Sequence, residues 1–277
     1  MSTLIFIIIS SAGVGSLLMP SSPVGVLTSF SSSQHEEAIF YNPAHFEASE
    51  NFKLSCFYNH FYLGMRSFSF ALSKMVKSID LGLAINNFDY GDMELRPDYP
   101  TEDPVFNYTA NDLSIVLSGR VKVSSEGKIG LNVKYIYEHI YTYSGYAFAF
   151  DIAFAYGSAK NGISFGASNF GTRITLNNEE VNLPARLSIG GYHSFGKIVA
   201  SADAHYLINN AETEFGVGVT LPVHSLITLS AAMNYRENLY PGFGVTITPG
   251  GWAIKYGAAL YPKNLGMVNI LGIGFGF

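Results

Sequence analysis

From about residue 52 onward, bulky apolar side chains alternate with small ones along the chain. In the clearest stretch the bulky positions are Tyr146, Phe148, Phe150, Ile152, Phe154 and Tyr156, and the positions between them are Ala147, Ala149, Asp151, Ala153 and Ala155. A period of two is typical of β-strands whose two faces meet different surroundings. The same alternation recurs at residues 68–72, 79–85, 215–221 and 271–277. The pattern therefore predicts an all-β chain.

The second face of these strands is unusual for a soluble protein. A soluble sheet turns its apolar face inward and carries charged side chains on the other face. Here the other face consists mainly of Gly, Ala, Ser and Thr. Small residues suit the crowded inside of a barrel, and bulky apolar residues suit contact with lipid. We therefore predict an antiparallel transmembrane β-barrel in the bacterial outer membrane, in contact with its lipid.

Turn signals divide residues 52–277 into about fourteen segments near the ten-residue length of membrane strands. An even number is expected when both ends of a bacterial barrel lie on the periplasmic side. The longest interruption, about residues 91–111, contains Pro97, Pro100, Pro104 and several acidic residues, and it is interpreted as an external loop. Phe275 and Phe277 end the last alternating strand, which resembles the C-terminal signal that barrel-insertion machinery recognises.

The first 16 residues resemble a secretory signal peptide. An apolar run at residues 4–9 is followed by small residues at 10–16. A basic start is missing, since the first Lys is Lys53 and the first Arg is Arg66. A misplaced start codon or a clipped signal would explain this, and so would a buried strand of the mature protein.

The amino-acid composition excludes several classes of protein. Only 13% of the 277 residues are charged, about half the usual share, and 14% are aromatic. This balance excludes intrinsic disorder, and no Lys/Arg cluster indicates nucleic-acid binding. One cysteine excludes a disulfide scaffold. The apolar runs are also shorter than the roughly 20 residues of a membrane helix.

Several short segments resemble the PorV/PorQ family, within the wider FadL-like group of outer-membrane barrels. They are AIFYNPA at 38–44, GLNVKYIY at 130–137, SGYAFAFD at 144–151, NFG at 169–171, LPARLSIG at 183–190 and LGMVNI at 265–270. The resemblance implies a 14-stranded barrel at 52–277 whose N-terminal segment, 17–51, folds into the lumen as a plug. It also implies a role in type IX secretion, with secretion-system subunits and secreted cargo as partners.

Two groups of polar residues are candidates for function. Asn42-Pro43-Ala44 predicts a turn, because Asn can bond its own backbone and Pro fixes φ; this turn could also hold the plug against the wall. Charged or titratable side chains also fall on the inward face of the predicted strands. They are Asp80, Arg120, Lys122, Lys134, Glu138, Asp151, Asp203, His205, Arg236 and Lys255. Both signs occur, so we expect ion pairs that brace the barrel and the plug; the alternative is a charged solute path.

Catalysis and metal binding find little support in the pattern. Asp203 and His205 could join Ser201 in a hydrolase site, but no Gly-x-Ser-x-Gly motif is present. The group His35, Glu36, Glu37 and His45 lacks zinc-ligand spacing and fits a polar plug better. We therefore expect a protein that is not an enzyme and has no cofactor and no metal.

Three functional hypotheses stay open. The first is a docking or escort component in type IX-like secretion and surface attachment. The second is a FadL-like passive transporter of hydrophobic or small solutes, and the third is a purely structural barrel. A transporter of strongly apolar ligands should have a bulky apolar lumen, whereas the inner face here is small and partly charged, so the sequence leans toward the first.

Overall fold

The computed structural model describes residues 14–32, 36–97, 99–263 and 265–276. Its strands are β1 (Lys53–His60), β2 (Arg66–Val76), β3 (Ile79–Leu95), β4 (Phe106–Lys122), β5 (Gly127–Ile140), β6 (Tyr143–Gly157), β7 (Asn161–Gly171), β8 (Ile174–Leu176), β9 (Glu179–Val181), β10 (Arg186–Phe195), β11 (Ile198–Leu207), β12 (Glu212–His224), β13 (Ile227–Arg236), β14 (Asn238–Ile247), β15 (Trp252–Tyr261) and β16 (Gly266–Gly276). Fourteen of them form one closed antiparallel barrel, in which β1 pairs with β16 and β7 with β10. The predicted 14-stranded barrel is confirmed.

The two faces of the wall differ as the alternation predicts. On β6, Phe148 and Phe150 are 46% and 56% exposed on the outside, whereas Ala147 and Ala149 are fully buried inside. The same contrast holds around the barrel, because every one of its fourteen strands has exposed large apolar side chains at outward positions. An outer wall of this kind is typical of a barrel surrounded by lipid.

The two ends of the barrel differ in their connections. Lys53 at the start of β1 pairs with Gly276 at the end of β16, and we call this end the terminus end. Its connections are turns of two to four residues, such as 77–78 and 123–126. The opposite end, the loop end, carries the longer connections 96–105 and 172–185. Short turns face the periplasm in bacterial barrels, so the terminus end corresponds to the periplasmic side.

The predicted external loop at 91–111 is too long at both ends. β3 continues to Leu95 and β4 begins at Phe106, so the connection spans only 96–105. A register shift between Asp89 and Asp92 lets the ladder continue through the pairs Met93–Tyr108 and Leu95–Phe106. The polar outward positions of this extension made it resemble a loop in the sequence. The small β8–β9 hairpin was also not predicted.

The N-terminal segment forms only short turns: 3₁₀ turns at Gly15–Leu18, Pro23–Val26 and Glu36–Phe40, and one α-helical turn at Ser29–Ser32. These turns contact the inner faces of strands around the barrel, including β1–β3, β7, β10, β11 and β14–β16. Contacts from so many sides are possible only for a segment that lies within the barrel. No helix in the described ranges is long and apolar enough to cross a membrane.

Candidate functional site

The interior of the barrel brings together most of the polar residues that the sequence singles out. Asp80 on β3 and Arg120 on β4 are directly opposite each other and buried. Arg120 Nε donates to Asp80 Oδ2 at 2.6 Å, and the Ala48 amide donates to Asp80 Oδ1 at 3.2 Å. Arg120 is also 3.6 Å from a carboxylate oxygen of Glu47. This cluster ties residues 47 and 48 of the N-terminal segment to the wall.

A second buried cluster joins β5, β6 and β7. Lys134 Nζ is 2.7 Å from Asp151 Oδ2 and donates to Asn169 Oδ1 at 2.8 Å. The Asn132 side-chain amide donates both to Asp151, at 2.8 Å, and to the carbonyl oxygen of Ile39, at 3.0 Å. The charge of Asp151 is therefore matched by Lys134, and the same network holds the N-terminal segment at residue 39.

Asn42-Pro43-Ala44 forms a turn deep in the interior, where all three residues are buried. The Ala44 amide donates to Asn42 Oδ1 at 3.1 Å, and Asn42 Nδ2 donates to the Phe30 carbonyl oxygen at 2.9 Å. The turn lies against β5 at Gly130, where any Cβ atom would overlap the backbone of Pro43. A glycine at this wall position thus permits the close approach.

The other side chains predicted to face inward lie in different surroundings. Lys255 pairs with Glu37 and lies 3.7 Å from Glu36. Glu138 is buried, with 2% of its surface exposed. Arg236 is 3.0 Å from Glu214 and 3.5 Å from Glu212 at the loop end. Lys122 is exposed at the end of β4 instead, because it is the last residue of that strand.

Asp203, His205 and Ser201 do not assemble as a hydrolase site. Asp203 Oδ2 accepts a hydrogen bond from the Phe30 amide at 2.8 Å. His205 Nδ1 is 2.8 Å from Ser188 Oγ, and Ser201 Oγ is 2.5 Å from Thr28 Oγ1. Each polar group is engaged with a partner outside the supposed triad. Within the described residues no cluster of three or more His, Cys, Asp or Glu side chains could hold a metal ion; His35 lies outside them.

Among the described residues, two cavities are found on the β10–β16 side of the interior. The loop-end cavity has a volume of about 130 Å³ and is bordered by Tyr62, Arg186, Glu214, Arg236, Tyr240 and Tyr261. The terminus-end cavity has a volume of about 570 Å³ and is bordered by Thr220, Thr228, Ser230, Gly244, Thr246 and Lys255. Neither cavity is lined by a residue of β2–β7.

Leu27 lies between the two cavities and is the residue that lines both. Around it, the N-terminal segment lies on glycine positions of the wall. A Cβ atom at Gly244 would come 3.2 Å from Leu27 Cδ1, and one at Gly242 would overlap the carbonyl oxygen of Val26. Asn234 Nδ2 also donates to that carbonyl oxygen at 3.1 Å. Leu27 therefore lies where the linings of the two cavities meet.

Sequence reasoning missed Leu27 and the cavities. The inner-face glycines Gly216, Gly218, Gly242, Gly244 and Gly257 were one available signal, because consecutive small residues on neighbouring strands leave space inside a barrel. No local sequence pattern indicates where the N-terminal segment runs through that space.

The predictions for the two ends of the chain fall partly or largely outside the described residues. Phe275 lies on β16 with its ring 3.8 Å from that of Trp252, centroid to centroid, at the terminus end. Phe277 lies outside the described residues, as do residues 1–13 of the predicted signal peptide. Recognition of the C-terminal strand by insertion machinery stays a prediction.

Several solved barrels share this fold. The toluene transporter TbuX of Ralstonia pickettii is 12% identical over 95% of this chain and 100% of its own, with a TM-score of 0.73. The toluene transporter TodX of Pseudomonas putida is 10% identical over 94% and 99%, with a TM-score of 0.68. A FadL homologue of Pseudomonas aeruginosa is 11% identical over 95% and 96%, with a TM-score of 0.64. At such identities the likeness shows the fold alone, that of FadL-like outer-membrane barrels.

Sequence comparison adds nothing to this likeness. No protein-family model matches the chain, and no curated protein matches it significantly. The expected resemblance to the PorV/PorQ family is therefore not supported beyond the wider FadL-like fold.

Proposed function

We propose that this protein is a passive transporter that lets small solutes cross the outer membrane through the β10–β16 side of its lumen. The observation that carries the proposal is the pair of cavities, one at each end of the barrel, that meet at Leu27. A modest displacement of this side chain would join them. The shared fold with two toluene transporters and a FadL homologue supports the same reading.

The size of the loop-end cavity limits the solute. Its volume of about 130 Å³ is close to the roughly 150 Å³ of an engineered protein cavity that holds benzene. A single six-membered ring fits such a space, whereas an extended acyl chain does not. The solute class is therefore small, at about the size of one ring.

The lining of the cavities limits the polarity of the solute. Five tyrosines border the loop-end cavity beside Arg236 and Glu214, and the wall of the terminus-end cavity combines apolar surface with several hydroxyl groups and with Glu36, Glu37 and Lys255. Binding sites for strongly apolar ligands are lined mainly by hydrophobic side chains. The lining favours compact solutes that combine an apolar ring with one or two hydrogen-bonding groups, such as simple phenols.

The test is a flux measurement on the purified full-length protein in lipid vesicles. Liposome swelling should be faster with protein than without it for phenol-sized solutes, and the gain should vanish for linear solutes of ten or more carbons. Equal permeation of all solutes would indicate an open pore instead, and no gain for any solute would overturn the transport proposal.

A pull-down in mild detergent separates transport from the secretion hypothesis. Under the transport proposal the tagged protein is recovered without secretion-system subunits or secreted cargo. Specific recovery of such proteins, together with absence of solute flux, would reverse the assignment.

A further inference from the structure

The exposed charges at the two ends of the barrel are arranged differently. At the loop end the exposed basic residues are ion-paired: Arg66 with Asp89 at 2.8 Å, Arg96 with Glu94 at 2.8 Å, Arg173 with Glu180 at 2.7 Å and Lys263 with Glu237 at 3.4 Å. Further acidic residues, including Asp92, Glu102 and Asp103, are exposed at that end. The loop end therefore carries its positive charges already neutralised.

The terminus end carries lysines without acidic partners. They are Lys74 on the outer face of β2, Lys77 in the β2–β3 turn, Lys122 at the end of β4, Lys160 in the β6–β7 turn and Lys197 in the β10–β11 turn. We call these five residues the lysine rim. Among the described residues none of the five forms an ion pair, and four of them are exposed. Among the described residues, Glu50 and Glu126 bring acidic charge to the outside of this end, and the half-exposed Glu47 is paired with Arg120.

Aromatic side chains lie close to two of the five lysines. Lys74 Nζ is 4.3 Å from the ring centroid of Phe52, and exposed Phe195 precedes Lys197 by two residues. Aromatic rings concentrate at the level of lipid headgroups, where one end is apolar and the other wet. Lys74 and Lys197 therefore lie next to aromatic rings of the kind that occur at headgroup level.

We propose that the lysine rim binds the headgroups of anionic glycerophospholipids in the leaflet at the terminus end, which is the periplasmic one. An ammonium group without a protein carboxylate is most strongly stabilised near the phosphates of an anionic surface, within a Debye length. The rim follows the wall from β2 to β11, whereas the turns between β12 and β15 contain no lysine, so the bound lipids lie along one arc. The proposal rests on insertion of the barrel in the membrane and not on solute transport.

Two single-tryptophan reporters can test the arc. Trp252, the only tryptophan of the chain, lies at the terminus end in the arc whose turns contain no lysine. Phe195→Trp combined with Trp252→Phe moves the reporter beside Lys197 and Lys160, since the Ser194 amide bonds the Lys160 carbonyl oxygen. Both proteins are inserted in phosphatidylcholine vesicles that contain brominated phosphatidylglycerol or brominated phosphatidylcholine as quencher. Because both leaflets have the same lipids, the orientation of the inserted protein does not matter.

We expect brominated phosphatidylglycerol to quench the Phe195→Trp reporter about three to five times as strongly as brominated phosphatidylcholine does. At Trp252 we expect the two lipids to quench about equally. Added salt at 0.5 M and the pair Lys160→Gln/Lys197→Gln should each reduce the preference to near one. Lys263→Gln at the loop end is the matched control and should leave it unchanged. Heat-modifiability on gels verifies that every variant is folded.

Three results would overturn the proposal: equal quenching by both lipids at the Phe195→Trp reporter, an equal preference at both reporters, or a preference that survives Lys160→Gln/Lys197→Gln.

Discussion

The two halves of the barrel interior hold the N-terminal segment in different ways. In the packed half, residues 38–48 lie against β2–β7, and buried charges fasten them through the Asp80–Arg120 and Lys134–Asp151 clusters. In the open half, residues 20–32 lie against β10–β16 through neutral hydrogen bonds, and two cavities border them. Charge acts there at two points: the Asp203 carboxylate accepts from the Phe30 amide, and Lys255 on β15 pairs with Glu37.

This difference implies that the two halves of the interior have different roles, one in the stability of the protein and the other in the passage of solutes. Apolar side chains of the segment such as Ile39 and Phe46 are fully buried in the packed half, in a cluster with Ala71, Ala84 and Val116 of the wall. Tightly packed interiors transmit strain and resist displacement. Leu27 in the open half is only partly buried and touches a glycine wall. Buried charges therefore fasten the segment in the packed half, while in the open half the Leu27 side chain borders cavity space.

The largest effect is expected when the anchor in the packed half is broken. Lys134→Met leaves the buried carboxylate of Asp151 without its cationic partner. Removal of one member of a buried ion pair costs about 3–5 kcal/mol, because the other charge stays buried and unmatched. The unfolding midpoint of the barrel in urea, followed by heat-modifiability on gels, should fall accordingly.

The matched control for that prediction is Lys263→Met. This residue forms an exposed pair with Glu237 at the loop end, and exposed pairs contribute at most about 1 kcal/mol. A similar loss of stability in both variants would show that Lys134 is no anchor.

A smaller effect is expected when the open half is filled. Gly244→Phe places a ring against Leu27 where the two cavities meet. Solute flux through vesicle-embedded protein should fall about tenfold, equivalent to a barrier increase of about 1.4 kcal/mol. Stability should change less than in Lys134→Met, because cavity space is available next to the new ring.

Gly119→Phe is the corresponding control on the outer wall. Gly119 has no neighbouring atom within 4 Å of a Cβ position, so the new ring points into lipid. Flux should equal that of the unaltered protein. Equal flux in Gly244→Phe and Gly119→Phe would place the route elsewhere in the barrel.

The sequence predicts the wall far better than the interior. Alternation such as that of residues 146–156 is local, so strand number, sidedness and most boundaries follow from it. The failures at 91–111 and at β8–β9 occur where strands leave the membrane and the lipid-facing pattern ends. The inner faces of both halves show the same small residues, so periodicity cannot distinguish packed from open.

The candidate site depends on contacts between distant residues. The charged residues Asp80, Arg120, Lys134 and Asp151 could be singled out, because charge on a strand of a membrane barrel is conspicuous. Leu27 could not be, since its importance comes from the path of residues 20–32 across β12–β15. That path is set by non-local packing against glycines more than 180 residues away along the chain, such as Gly216 and Gly244.

The most direct test of the account is chemical blockade at Leu27. In a Cys56→Ser background, Leu27→Cys provides one thiol where the cavities meet, and Val116→Cys provides one in the packed half. If solutes pass Leu27, a small methanethiosulfonate reagent labels the Leu27→Cys protein and abolishes its solute flux, while the Val116→Cys protein is neither labelled nor blocked. Complete labelling at position 27 with undiminished flux would show that solutes do not pass this residue.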